Sequence, residues 1–206
     1  MSELHKALGD IGSIRRQMAH ATEFRGYGPA TMAVTGVIAL AAAVAQWLAL
    51  PDPAARIAAY LAIWIAIAIV SAAIAGVQMY TRSRRIHSGL SDEMIHMAVE
   101  QFLPSGVAGL LVTVVLLVYV PTDLWLLPGL WQIVFGLGIF SSCRFLPRPM
   151  VAAGAWYLFT GLACISLAGV RALSPWAMGI PFCIGQLIVA AVLFFNAQEV
   201  GNEDQD

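Results

Sequence analysis

TRSRRIHSGLSDEMIHMAVEQF, residues 81–102, is the longest polar run in the interior of the chain. It holds Arg82, Arg84 and Arg85, the carboxylates Asp92, Glu93 and Glu100, and two of the four histidines, His87 and His96. Long apolar segments stand on both sides of it. About 20 apolar residues cross the hydrocarbon core of a bilayer as a helix, where every backbone polar group must be paired internally. The polar run therefore reads as a connection held at one membrane surface by the spans around it.

Composition agrees. Of 206 residues, 60% are hydrophobic and only 11% charged, and the mean hydropathy is +0.79. A soluble domain carries roughly 25% charged residues, so this chain could not cover its surface in water. The net charge of −1 contains no basic domain of the kind that binds nucleic acid. Cys143, Cys164 and Cys183 are odd in number and lie inside apolar runs, without disulfide or metal spacing. No metal or cofactor is expected. The first 28 residues lack an apolar core, so the first apolar run is expected to stay in the protein as a span.

The predicted fold is an all-α integral membrane protein with six transmembrane helices, near 29–50, 55–80, 103–120, 124–143, 149–170 and 175–196. Linkers alternate in character. Residues 50–53, 121–123 and 171–174 are tight turns, whereas 81–102 and 144–148 are longer or more basic. That alternation predicts three hairpins within a membrane domain of 29–196. Ahead of it, residues 1–28 carry an amphipathic helix, with Leu4, Leu8, Ile11, Ile14, Met18 and Ala21 at steps of three and four. Two placements bury that face equally well: flat in the headgroup plane, or against the other segments on the same side. Residues 197–206 form an acidic tail.

Charge predicts the orientation. With the N-terminus in the cytoplasm, Lys6, Arg15, Arg16, Arg25, Arg82, Arg84, Arg85, Arg144 and Arg148 lie inside, leaving Arg56 and Arg171 outside. An even number of spans returns the C-terminus to the cytoplasm. Trp47, Trp125 and Trp176 then fall near the outer ends, as interfacial aromatics should. The expected location is the inner membrane of a bacterial cell.

None of the spans carries an acid, base or histidine near its centre. This weighs against an ion-coupled carrier with a buried carboxylate, against haem with histidine ligands, and against an intramembrane protease. The buried polar groups are amides and hydroxyls, among them Gln46, Gln78, Gln132 and Gln186. Interhelical hydrogen bonding is one account of them. The sharper account is a polar pocket around Gln132 and Gln186, each preceded by a helix-disturbing proline, Pro128 and Pro181. Small pairs at helical spacing, such as Ala72 with Gly76 and Gly154 with Gly161, predict close helix contacts.

The polar run itself predicts a helix from an N-cap at Ser91 toward Phe102, with Pro104 starting or kinking span three. Glu93, His96 and Glu100 share one face of it. Glu-x-x-His is a metal-binding spacing in helical bundles, but a second copy is missing, and a solvated face explains it as well. All four histidines, including His5 and His20, fall in the predicted cytoplasmic segments. The arginines suit contact with anionic headgroups of the lipid bilayer.

The functional expectation is a non-catalytic multi-pass protein acting as sensor, anchor or regulator, with Arg82, Arg84, Arg85, Glu93, His96 and Glu100 toward a cytoplasmic protein partner. The alternatives are a carrier or channel for a small neutral or lipophilic solute, using the Gln132/Gln186 pocket, and a lipid-modifying enzyme at the membrane surface.

Overall fold

The computed structural model describes residues 28–85, 89–143 and 146–203. For residues 82–85, 89–99, 197 and 199–203 the description covers the backbone alone. The N-terminal amphipathic segment, with His5 and His20, lies outside the described residues, as do His87, Arg144 and the last residues of the tail.

Six helices account for the described chain: α1 (Pro29–Ala49), α2 (Ile57–Arg85), α3 (Gly89–Tyr119), α4 (Leu127–Ser142), α5 (Val151–Ser166) and α6 (Pro175–Glu203). Short 3-10 turns at Pro121–Leu126, Arg148–Met150 and Gly169–Leu173 precede α4, α5 and α6. No strand occurs among the described residues. Pro29, Pro121 and Pro175 begin their helices or turns, where a missing N–H leaves nothing unpaired. Six stretches are long and apolar enough to cross a membrane, α4 and α5 being counted together with the 3-10 turns before them. Large apolar side chains also face outward in rows, with Leu48, Leu110 and Phe159 each more than 60% exposed. A surface of that kind is stable only against lipid. The chain is a membrane-embedded, multi-pass protein.

Packing is uneven around the bundle. α1 lies most extensively against α6, and α4 against α5, while α2 and α3 barely touch one another. Two apolar clusters fill the interior. One gathers Ala43, Tyr60, Trp64, Leu127, Leu173 and Met178 near the 3-10 turns. The other gathers Met32, Ile139, Met150, Tyr157 and Leu193. Phe182 packs against both and marks the waist between them.

The two ends of the molecule differ. At one end the connections are turns, and the Pro121–Leu126 and Gly169–Leu173 turns touch each other. At the other, helices carry polar ends: α2 closes on Arg82, Arg84 and Arg85, α3 opens with the run holding Asp92, Glu93 and Glu100, and α6 ends on Glu199 to Glu203. Two hydrogen bonds gather this end. The Gly28 N–H donates to Gln78 Oε1 at 3.0 Å, and Ser141 Oγ donates to the Gln101 carbonyl at 3.0 Å.

The structure revises two local expectations. Gly89 and Leu90 are already helical, so Ser91 stands inside α3 rather than at its cap. Pro104 lies inside α3, and the expected surface helix and span three are one continuous helix.

Candidate functional site

The glutamines of the expected pocket sit on α4 and α6, which reach it by different local routes. Pro128 is fully buried in the first turn of α4, directly after a 3-10 turn, and so starts that helix rather than breaking it. Pro181 lies inside α6. The two prolines therefore act differently: one is an initiator and the other an interruption.

The interruption explains Gln132. Proline at 181 has no N–H, so the carbonyl four residues earlier, Ala177, loses its helical donor. Gln132 Nε2 donates to that carbonyl at 2.9 Å, and also to Pro128 of its own helix at 3.2 Å, beside Met178 Sδ at 3.8 Å. Two further donors meet the same part of α6. Trp156 Nε1 donates to the Pro181 carbonyl at 2.9 Å, and the Tyr157 hydroxyl to that of Phe182 at 3.5 Å. α4 and α5 thus splint α6 around its proline. This is chemistry of the interhelical kind, in which side chains re-pair backbone groups that a proline frees.

Gln186 stands elsewhere. It lies beside Tyr157, whose ring covers Gly185 so closely that a Cβ there would come 2.5 Å from the hydroxyl oxygen. α1 also presses on it: a Cβ on Gly36 would be 3.0 Å from Gln186 Cβ. Ala177 and Gln186 are separated by roughly 13 Å along α6 at 1.5 Å per residue. Between them Phe135, Tyr157 and Phe182 form an aromatic cluster with centroids 4.8 to 5.5 Å apart. Gln132 joins the turn-end cluster through Met178, and Gln186 the opposite one through Tyr157.

Each glutamine keeps one buried oxygen, Oε1, without a hydrogen-bond partner, and so does the Tyr60 hydroxyl. These oxygens can accept a hydrogen bond from a neutral donor. The two amides offer no acid, base or nucleophile.

Sequence reasoning named Gln46 and Gln78 only as buried amides, and missed their partners. Gln46 is fully buried. Its Nε2 donates to the Leu173 carbonyl at 3.0 Å, and its Oε1 accepts from Trp64 Nε1 at 2.8 Å, tying α1 to α2 and to the last turn. The Tyr60 hydroxyl was not singled out, and a tyrosine inside an apolar run is a faint signal.

At the polar end, Arg82, Arg84 and Arg85 belong to the last turns of α2, and residues 93, 96 and 100 follow one another on helical backbone of α3. Side chains 82–99 lie outside the described residues, so those of the three arginines, Glu93 and His96 are not placed. Glu100 is exposed. Cys143 is half-buried, one residue past the end of α4. Comparison with protein-family models, curated proteins and solved structures gave no match.

Proposed function

We propose that the chain is a non-catalytic membrane protein that acts as sensor, anchor or regulator through its polar end. The observation that carries this reading is the asymmetry of the two ends. Connections on one side are short turns, whereas on the other α2 ends on Arg82, Arg84 and Arg85, α3 opens with the run holding Asp92 and Glu93, and α6 ends on Glu199 to Glu203. The leading part of α3, residues 89–99, is about 16 Å long at 1.5 Å per residue and stands ahead of the membrane stretch. A partner has accessible polypeptide there, and little at the turn end. In this reading the polar end and both termini face the cytoplasm, because that side collects nearly all the lysines and arginines. The membrane is the inner membrane of a bacterial cell. The test is affinity capture from solubilised membranes with the intact protein and with a variant carrying a neutral linker in place of 82–100. The expected result is loss of one or more specific partners from the variant. Identical partner sets refute it.

A second reading, a carrier or channel for a small neutral or lipophilic solute, is favoured by the unpartnered Oε1 atoms of Gln132 and Gln186. It predicts that Gln132→Leu with Gln186→Leu abolishes uptake in membranes that still contain folded protein. Unchanged transport by the double variant removes this site.

A further inference from the structure

The turn end carries a groove of about 580 Å³, within the ~300–1,000 Å³ typical of small-molecule sites. Trp47, Asp52 and Pro53 line one side of it and Val170, Ser174 and Pro175 the other. We propose that this groove holds the headgroup of a phospholipid with a primary ammonium, the phosphoethanolamine class, with the ammonium against Asp52 and the phosphate toward Arg171.

Depth selects a lipid. Trp47 is 61% exposed at the end of α1, and Trp176 is 40% exposed at the start of α6. Tryptophans at the ends of spans sit at headgroup level, so the groove opens where headgroups are. Charge selects the headgroup. Asp52 is exposed, and only its Oδ1 is engaged, accepting the N–H groups of Ala54 and Ala55 at 3.1 Å each. Its second oxygen points to no partner among the described residues. Arg171 adjoins the lining residue Val170, and Arg56 lies three residues beyond Pro53. Both arginines are exposed, and neither has an ion-pair partner among the described residues. A carboxylate lining the groove, with Arg171 next in the chain to Val170 and Arg56 four residues after Asp52, suits a zwitterion with its positive end inward.

The choice of a primary ammonium follows from donor count. An ammonium gives N–H groups to the Asp52 carboxylate and the Ser174 hydroxyl. A trimethylammonium has none to give and is normally held by a cage of aromatic faces, of which this groove has one, Trp47. Prolines on both walls fix the backbone, which lowers the ordering cost of binding.

The test uses the full chain purified in detergent, with lipid binding measured by native mass spectrometry and by the shift in melting temperature. Phosphatidylethanolamine should bind more tightly than phosphatidylglycerol or phosphatidylcholine. Asp52→Asn keeps an oxygen for the two backbone N–H groups, so it should leave the lipid-free melting temperature unchanged. It should weaken phosphatidylethanolamine binding about threefold, the size expected of one exposed charge pair, and remove the preference. Arg171→Gln should weaken the ethanolamine and glycerol lipids alike. Equal binding of the three lipids by the native chain overturns the proposal, whatever the variants do, and so does a preference that survives in Asp52→Asn.

Discussion

The interior amides act first on backbone carbonyls. Gln46 holds both Trp64 Nε1 and the Leu173 carbonyl from a fully buried position. Gln132 supplies the donor that Pro181 denies to Ala177. Among the described residues Gln186 bonds no backbone carbonyl; it meets the Tyr157 side chain, and its Oε1 is unpartnered. The three should therefore differ on replacement by leucine. Side-chain hydrogen bonds between membrane helices contribute about 0.6 kcal/mol on average, with a maximum near 1.7. Gln46→Leu breaks two of them and should cost about 1–2 kcal/mol. Gln132→Leu should cost about 1 kcal/mol, and Gln186→Leu less. Reversible unfolding in mixed micelles measures all three, and a Gln186→Leu loss equal to that of Gln46→Leu would contradict this ordering.

Among the helices, small residues at helical spacing have unequal consequences. Gly129 and Gly161 bring α4 and α5 together: a Cβ on Gly129 would stand 2.6 Å from the Gly161 carbonyl oxygen, and one on Gly161 2.7 Å from that of Gly129. Gly136 meets the Gly154 carbonyl in the same way, at 2.9 Å. These obstacles are backbone atoms, which cannot swing aside. Gly76 on α2 is open, with nothing within 4 Å of the place a Cβ would take. Gly129→Ala or Gly161→Ala should destabilise by about 1–3 kcal/mol, the range for forced overpacking, and the double variant by less than the sum. Gly76→Ala should be neutral or stabilising by up to about 1 kcal/mol through helix propensity. Calorimetric melting in detergent separates these outcomes. The spans themselves were legible in the sequence because length and apolar content set them, and prolines such as Pro29 and Pro175 marked their starts. The partners of each span were not, because lipid-facing and bundle-facing surfaces are equally apolar. Ala72 with Gly76 and Gly154 with Gly161 have the same small-residue character, yet Ala72 and Gly76 are exposed while Gly154 and Gly161 are buried against α4. The expected pocket met the same obstacle: Pro128 and Pro181 look alike in sequence, and only the preceding 3-10 turn makes the first an initiator.

For the molecule as a whole, the described helices leave their short turns at one end and their polar ends at the other. The turns at Pro121–Leu126 and Gly169–Leu173 touch, and the groove joins residues 47–53 to 170–175, so the three short connections share one end. Ser141 against Gln101 and Gly28 against Gln78 place the ends of α1, α2, α3 and α4 together at the other. Arg56 and Arg171 are the basic residues at the turn end, and Arg148 lies at the opposite one. In the proposed function the positive-inside rule puts the polar end in the cytoplasm. In a chain with Cys143, Cys164 and Cys183 replaced by alanine, single cysteines at Asp123 and at Arg148 report the two ends separately. A membrane-impermeant maleimide added to intact cells should label the cysteine at 123 and spare the one at 148, and lysis should expose the second. Labelling of position 148 in intact cells would invert the molecule. It would also move the partner-facing end of the proposed function out of the cytoplasm, while leaving the bundle and its groove as they are.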